Sequence, residues 1–380
     1  MLQKSIETIG PAVSVERLID GIIGPAADQV DREDKTPPEL IARIADSRYL
    51  GAGVGVEHGG LGYDSASLGQ LYEAVGGTSA TILSLFTVHG MACHVLARWG
   101  TDFQKTRLLP RMLDEGNICA FALTEPDVGS DARSVACTAT PTDGGFTVNG
   151  AKCWISFGQC ADLIVLIARA EQGSIALIAD ADAPGITITP IHNMLGFRGA
   201  MLARFDFEDV FVPADRVLGR PGFGFSHIVN SALDLGRFAV GWGCVGIAQA
   251  CVDLSVEYAK TRRQFDKPLI KHQLVQGMIA DMVTQTKAAR ALCESATSLR
   301  DAKDPDAIVE VATAKYFASK TAMEVAQTAV QIHGAYGCSG DSRVERFFRD
   351  AKITEIIEGS NQMHQIIIAH QAAMGGAKAK

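Results

Sequence analysis

The chain has 380 residues, 47% of them hydrophobic and 21% charged, which is enough for two or three domains with substantial cores. Its formal net charge of −8, without a long run of one sign, argues against nucleic-acid binding. The sequence contains no uninterrupted apolar run of about 18 residues, so we expect no transmembrane helix. The N-terminus lacks the apolar core of a signal peptide. The nine cysteines are scattered and contain no C-x-x-C pair, which argues against a disulfide scaffold or a zinc site. We therefore expect a cytoplasmic protein.

Helical patterns dominate residues 1–116. Apolar residues recur at helical spacing in three runs, 38–47, 65–75 and 89–99. A further amphipathic run at 102–115 contains Pro110, which we expect to kink the helix. We therefore predict an N-terminal α-helical domain over residues 1–116.

Between residues 117 and 221 the pattern changes to short β-rich runs separated by turns. These runs lie at 145–155, 162–168, 174–179, 186–191 and 204–212. Asn149-Gly150, a dipeptide frequent in hairpins, predicts a turn inside the first run. No long helix separates the runs, which favours a small antiparallel barrel or sandwich over a parallel βαβ sheet.

The helical period returns over residues 222–380. Long helical runs at 226–261, 272–302, 306–332 and 344–357 are joined by short connections, as in a helix bundle. The predicted fold class is therefore α+β, with an N-terminal helical domain, a middle β domain (117–221) and a C-terminal four-helix bundle (222–380).

Glu358 stands between two helical runs, 344–357 and 363–374. Gly359 is predicted to end the first helix and Ser360 to cap the second. A carboxylate at such a break can point into an apolar cavity, where its pKa would rise and suit it to remove a proton from carbon. This stretch alone leaves open the alternative of an exposed glutamate at a helix end.

The segment 241–246 (GWGCVG) matches the dinucleotide-binding pattern G-x-G-x-x-G. That motif requires a preceding strand, whereas the residues before it have a helical pattern, so we interpret its glycines as helix-packing positions. His89 and His94 are five residues apart and do not share a helical face, which predicts no metal site. No G-x-S-x-G motif indicates a serine hydrolase.

The segment 121–131 (FALTEPDVGSD) is either a surface turn or a loop that presents hydroxyl and N–H groups to a planar polar ligand. It resembles the signature loop of the acyl-CoA dehydrogenase family of flavoenzymes. Six further stretches resemble motifs of that family in the same order, namely VEHGGLG (56–62), NGAKCWIS (149–156), FEDVFVP (207–213), RRQFDKPL (262–269), QIHGAYG (331–337) and IIEGSNQ (356–362). The resemblance spans nearly the whole chain and implies the same helical, β, helical order.

This resemblance implies FAD as the cofactor and no metal. Glu358 matches the catalytic base, and Gly236 occupies the position from which some family members supply that base. Cofactor contacts are implied for Phe121, Leu123, Thr124, Ser130, Trp154, Ile155, Ser156, Arg262, Gln264, Phe265, His272, Gln273, Gln331, Ile332, Gly334, Ala335, Ser360 and Gln362. Substrate contacts are implied for Ser130, Asp234, Arg237 and Gly359.

Several of these implied roles are specific. Trp154 is expected to lie against the flavin ring, although a core position in a hairpin is an alternative. Arg262 is expected to bind the FAD diphosphate, near which Asp266 replaces a family glycine with a negative charge. Arg237 either contacts substrate or forms a buried ion pair with Asp234. The segment 331–335 is implied to reach the FAD of a neighbouring subunit, so a homodimer or homotetramer is expected.

The implied activity is α,β-dehydrogenation of an acyl thioester, with electrons passed to an electron-transfer flavoprotein. Residues 80–100 are similar to homologues of polyketide and nonribosomal pathways, some of which act on acyl groups bound to a carrier protein, including hydroxy- or methoxymalonyl extender units. An oxidase that uses oxygen and a non-catalytic binding protein are the alternatives. Retention of Glu358, Trp154 and Arg262 argues against the second.

Overall fold

The computed structural model describes residues 10–375, so the expectation about a signal peptide concerns residues that mostly lie outside the described range. Helices make up the first part of this range. They are α1 (Val15–Leu18), α2 (Gly24–Glu33), α3 (Pro38–Asp46), α4 (Ser65–Thr78), α5 (Ala80–Trp99) and α6 (Asp102–Leu113). The predicted helices are present, and α5 begins earlier than its periodicity indicated because the Ser79 side chain caps it, accepting a hydrogen bond from the N–H of Ile82. Pro110 lies inside α6.

Eight strands then form one sheet in the order β6-β7-β3-β2-β4-β5-β8, with β1 beside β4. They are β1 (Cys119–Ala122), β2 (Thr138–Thr142), β3 (Gly145–Ile155), β4 (Leu163–Ala170), β5 (Gly173–Asp180), β6 (Ile186–Pro190), β7 (Ala203–Pro213) and β8 (Val217–Leu218). The pairings are antiparallel except for those of β1 and β2 with β4, which are parallel. The sequence did not predict β1, because all four of its residues are buried and it shows no alternation.

The turn predicted at Asn149-Gly150 is wrong. Strand β3 runs through this dipeptide, and the turn that joins β2 to β3 lies at residues 143–144. The register of β3 against β7 shifts between Val148 and Gly150, so the dipeptide forms a β-bulge. The Asn149 side chain stabilises the bulge by accepting from the N–H of Asp209 at 2.9 Å and donating to its carboxylate at 3.0 Å.

Helices return from residue 224. A π-helix (Gly224–Val229) leads directly into α7 (Asn230–Thr261), and a two-stranded ribbon, β9 (Arg263–Gln264) and β10 (Lys267–Pro268), follows it. The remaining helices are α8 (Gln273–Asp301), α9 (Ala307–His333), α10 (Arg343–Thr354) and α11 (Asn361–Ala373). Helix α10 ends before residue 357, so Gly359 is not its C-cap, whereas the Ser360 side chain caps α11 as predicted.

The glycines of the segment 241–246 are helix-packing positions, as interpreted from the sequence. They lie in the middle of α7, with no strand before them. A Cβ atom added to Gly246 would lie 2.7 Å from the backbone nitrogen of Gly77, and one added to Gly76 would lie 2.6 Å from Cα of Gly243. The backbones of α4 and α7 are therefore in direct contact.

In the described part of the chain, two helical segments are apolar and long enough to cross a membrane, Ala80–Trp99 and Gly224–Thr261. In the most apolar window of each, 89% and 72% of the residues are buried inside the protein. They are core helices of this fold, and they form the walls of the site described next.

Candidate active site

A cavity of about 970 Å³ lies between the sheet, α5, α7 and the turn that joins α10 to α11. The sheet and its loops contribute flat and polar side chains, and the helices contribute mainly apolar ones. Eleven of the residues singled out from the sequence line this cavity: Phe121, Leu123, Thr124, Ser130, Trp154, Ile155, Ser156, Arg237, Glu358, Gly359 and Ser360.

Glu358 lies in the turn between α10 and α11 and lines the cavity. Its φ of +54° and the φ of +90° at Gly359 place both residues in the left-handed region, which is unfavourable for a glutamate. One carboxylate oxygen, Oε2, is buried and has no hydrogen-bond partner among residues 10–375. A buried carboxylate with an unused oxygen is free to accept a proton from a bound molecule.

Because Gly236 has no side chain, it leaves room for the carboxylate of Glu358. A Cβ atom on Gly236 would lie 2.7 Å from Cδ of Glu358 and 2.8 Å from Sδ of Met91. Glu358 therefore occupies the volume that a side chain at position 236 would need.

Burial of Glu358 raises its pKa to about 7, although the nearby cations Arg237 and Lys315 act in the opposite direction. A carboxylate with such a pKa can accept and release a proton near neutral pH. Burial likewise lowers the pKa of Arg237 and lowers that of Lys315 to about 8.

Both cations also bind the backbone of the turn. Arg237 Nε donates to the carbonyl oxygen of Glu358 at 3.2 Å, and Lys315 Nζ donates to that of Gly359 at 3.0 Å. The sequence analysis missed Lys315. Its signal was its position four residues after Val311 and three before Ala318, which places a charged residue on the buried face of α9.

Trp154 also lines the cavity. Its φ is +62°, and 52% of its surface is exposed, so it is not a core residue of the sheet. Its indole presents a flat apolar face of the kind that an aromatic ring system packs against. Thr124 and Ser156, which line the same cavity, add hydroxyl groups.

A buried ion pair anchors the loop that carries Leu123 and Thr124. Lys152 Nζ lies 2.8 Å from Oε1 of Glu125 and donates to the carbonyl of Leu123 at 2.9 Å. The Glu125 carboxylate also accepts from the backbone N–H groups of Ala136 and Cys137. Burial raises the pKa of Glu125, but Lys152 and the two N–H groups outweigh that effect, and the net shift is downward.

A second cavity of about 570 Å³ brings together another group of predicted residues: Arg262, Gln264, Ile332, Gly334 and Ala335. It shares no lining residue with the first cavity. Among the described residues, Arg262 has no carboxylate within 4 Å, so its charge is available to an anion. The structure thus separates Arg262 and Gln264 from Trp154 and groups them with the segment expected to serve a neighbouring subunit.

Six predicted site residues line neither cavity: Phe265, His272, Gln273, Gln331, Gln362 and Asp234. Phe265 is 88% exposed on the β9–β10 turn, and the neighbouring Asp266 is exposed too. Asp234 forms an ion pair with Arg300 of α8, so the alternative pair of Asp234 with Arg237 is wrong. His89 and His94 bind the N–H of Cys119 and the hydroxyl of Ser231, and no cluster of metal ligands occurs within 10–375.

Family models match almost the whole chain. The N-terminal, middle and C-terminal domains of acyl-CoA dehydrogenase match residues 12–116, 120–210 and 222–373. Acryloyl-CoA reductase (NADH) of Anaerotignum propionicum is 40% identical over 354 residues, covering 91% of this chain and 89% of that protein.

Solved structures share the fold. A chain from a study of the electron transferring flavoprotein of Acidaminococcus fermentans superposes with a TM-score of 0.91 at 32% identity, covering 95% of this chain and 96% of that one. FkbI, described as acting in biosynthesis of a methoxymalonyl extender unit of a polyketide, gives a TM-score of 0.89 at 32% identity, with coverages of 95% and 99%. A glutaryl-CoA dehydrogenase of Mycobacterium smegmatis in complex with FADH2 gives 0.90 at 25% identity, with coverages of 96% and 94%.

Proposed function

The chain belongs to the acyl-CoA dehydrogenase family, and from this premise we propose that it removes one hydrogen from each of the α and β carbons of an acyl thioester. Its cofactor is FAD, which the two cavities fit. One cavity offers the flat face of Trp154 with the hydroxyls of Thr124 and Ser156, and the other offers Arg262, which has no carboxylate within 4 Å among the described residues. The observation that carries the proposal is the buried carboxylate of Glu358 in the wall of the first cavity, one oxygen of which has no hydrogen-bond partner within residues 10–375.

Glu358 acts as the base. It takes the proton from the carbon next to the thioester carbonyl, and its pKa of about 7 matches that role near neutral pH. FAD held by Trp154, Thr124 and Ser156 would supply the acceptor for the hydride that leaves the β carbon, and the product would be a 2,3-enoyl thioester. The carbon acid is weak, so the thioester oxygen needs a hydrogen-bond donor as negative charge develops on it. The backbone N–H of Glu358, which donates to no acceptor among residues 10–375, is available for this purpose.

The reverse reaction is a second candidate. The relative with 40% identity is named an acryloyl-CoA reductase, and a base that removes the α proton in one direction supplies it in the other. For this chain, reduction of a short 2-enoyl thioester would use the same Glu358 in its protonated form.

The similar proteins and the two cavities support proposals for the electron acceptor, the carrier of the acyl group and the oligomer. The likeness to a chain from work on an electron transferring flavoprotein supports such a protein as electron acceptor, with oxygen as the alternative. The likeness to FkbI supports a carrier-bound acyl group as the alternative to acyl-CoA. We further propose a cytoplasmic homodimer or homotetramer in which the second cavity of each subunit serves the FAD of its neighbour.

An anaerobic titration of the FAD-loaded protein, followed at the visible flavin band, tests the function. The panel contains short and branched acyl-CoAs, the same acyl groups on a carrier protein, and 2-enoyl thioesters added to the reduced protein. We expect at least one acyl thioester to bleach the flavin. Whether acyl-CoAs or carrier-bound acyl groups do so identifies which of the two carries the substrate. Reoxidation by an enoyl thioester would establish the reverse direction. A flavoprotein that no acyl thioester bleaches would contradict the proposal.

A further inference from the structure

Lys315 is a lysine in the centre of α9 whose side chain is fully buried. Within residues 10–375 no carboxylate oxygen lies within 4 Å of its ammonium group, and its one hydrogen bond goes to the carbonyl of Gly359. A buried ammonium without an ionic partner is unfavourable by several kcal/mol, as an order of magnitude. Hydrophobic burial therefore does not explain a lysine at this position.

The packing of α9 on α7 brings Lys315 to the active site. Gly241 lies opposite it, and a Cβ atom there would be only 3.6 Å from Cα of Lys315. Because α7 also carries Arg237, the two helices present one cation each to successive carbonyl groups, those of Glu358 and Gly359. These two carbonyls belong to the two residues with left-handed backbone, so the cations hold the unfavourable turn in place.

The ionisable groups that face Lys315 are Glu358, Glu355, Arg237, Cys244 and His364. Glu355 already has a cation, with Lys352 Nζ 2.7 Å from its carboxylate. The Cys244 thiol is buried, and burial raises its pKa to about 11, so it is uncharged near neutral pH. Among the neighbouring anions, and counting partners within residues 10–375, Glu358 is the one with an unpaired buried carboxylate oxygen.

We propose that Lys315 is a positioning residue for Glu358: its ammonium group holds the Gly359 carbonyl, which fixes the turn that directs the carboxylate into the cavity, and its charge stabilises the ionised carboxylate. The inference rests on the proposed role of Glu358 as the base. Lys315 does not line the first cavity. It acts on the reaction through the turn that it holds and through the electric field of its charge at Glu358.

Three variants distinguish the effect of the Lys315 charge from that of its hydrogen bond and from the general effect of removing a lysine in this region. Lys315→Met removes both the charge and the donor, Lys315→Gln keeps a donor without the charge, and Lys352→Met removes an exposed cation from the same region. In stopped-flow reduction of the bound flavin, Lys315→Met should raise the pH of half-maximal rate by about one unit, which lowers the rate at pH 7 about fivefold. Lys315→Gln should show the same shift with a smaller loss of the plateau rate, and Lys352→Met should match the wild type.

A second measurement does not depend on turnover. The infrared band of the protonated Glu358 carboxyl, identified by its loss in Glu358→Gln, is followed against pH in each variant. We expect the band in Lys315→Met to persist to higher pH than in the wild type. If that variant does not fold, Lys315→Gln provides the same comparison.

The inference would be overturned if Glu358 titrated at the wild-type pH in both Lys315 variants and the variants differed from the wild type only by a lower melting temperature. Lys315 would then be a structural residue. Failure of the proposed function is a different result: the wild type itself would not be bleached by any acyl thioester. In that case the infrared titration still decides whether Lys315 acts on Glu358.

Discussion

At the scale of single residues, the site depends on a glycine as much as on the carboxylate. Gly236 is the reason that Glu358 can fold back against α7, since any side chain there would meet Cδ of Glu358. The sequence identified both positions through the family resemblance, but it could not show that they compete for one volume. That relation became visible only when α7 and the turn after α10 were placed together.

Gly236→Ala should displace the carboxylate and slow flavin reduction by an acyl thioester about 100-fold, because a shift of about 1 Å in a reacting group has effects of this size. Bound FAD should be retained. Gly277→Ala is a matched control, since Gly277 also lies in a helix but has no atom within 4 Å of an added Cβ. Equal rates in both variants would show that Glu358 does not need the space at Gly236.

The pH dependence of flavin reduction follows from the same residue. Burial raises the pKa of Glu358 to about 7, and the base must be deprotonated to act, so the rate should rise with pH and reach half its maximum near pH 7. Stopped-flow reduction between pH 5.5 and 9 measures this. A rate already at its plateau at pH 5.5 would mean that the base has the pKa of an ordinary exposed carboxylate.

At the scale of elements, the strands and helices with clear periodicity were predictable, and the irregular ones were not. Strand β1 is buried on all sides and lacks alternation, and Asn149-Gly150 forms a bulge because the Asn149 amide binds Asp209 across the sheet instead of closing a turn. Contacts of this kind join residues about 60 positions apart. Local patterns therefore located β3 but not its partners.

The ion pair of Lys152 and Glu125 fixes the loop at the rim of the sheet, and it is testable as a unit. Lys152→Met should lower the free energy of unfolding by about 3–5 kcal/mol, since it leaves the buried Glu125 carboxylate without its cation. FAD affinity should fall as well, because the carbonyl of Leu123 loses its donor. Urea unfolding and a fluorescence titration with FAD measure the two effects.

Because the pKa of Glu125 is lowered in the folded protein, the pair stabilises the fold above the ordinary pKa of a glutamate and loses this effect as the pH falls. The difference in stability between the wild type and Lys152→Met should accordingly shrink in acid. A difference that is independent of pH would contradict the ionic explanation. Lys352→Met, which removes an exposed lysine from an ion pair, is the control and should cost at most about 0.5 kcal/mol.

At the scale of the whole molecule, the separation of the two cavities is the feature on which the proposed oligomer depends. The resemblance assigned Arg262 and Trp154 to one cofactor, and the structure places them in separate cavities of one chain. A sequence cannot show this, because the distance between motifs in space depends on how α7 and β9 continue past the sheet. The proposed sharing of FAD between subunits would reconcile the two findings.

Mixed oligomers of Glu358→Gln and Arg262→Ala subunits test that arrangement. Each variant alone should be nearly inactive. In a mixed dimer, the site with an intact Glu358 receives Arg262 from the other subunit, so one of the two sites should regain activity. No recovery in mixed oligomers, confirmed as mixed by two affinity tags, would mean that Arg262 serves the FAD of its own subunit.

Glu358 is proposed to remove the α proton of an acyl thioester, and exchange of that proton with solvent is a direct measure of this step. The FAD-loaded protein is mixed anaerobically with a bleaching thioester in D2O, and the α-hydrogen signal is followed by proton NMR. We predict that the wild type replaces this hydrogen with deuterium and that Glu358→Gln, with FAD still bound, does so at least about 1000-fold more slowly. Exchange at the same rate in both proteins would show that another group removes the proton.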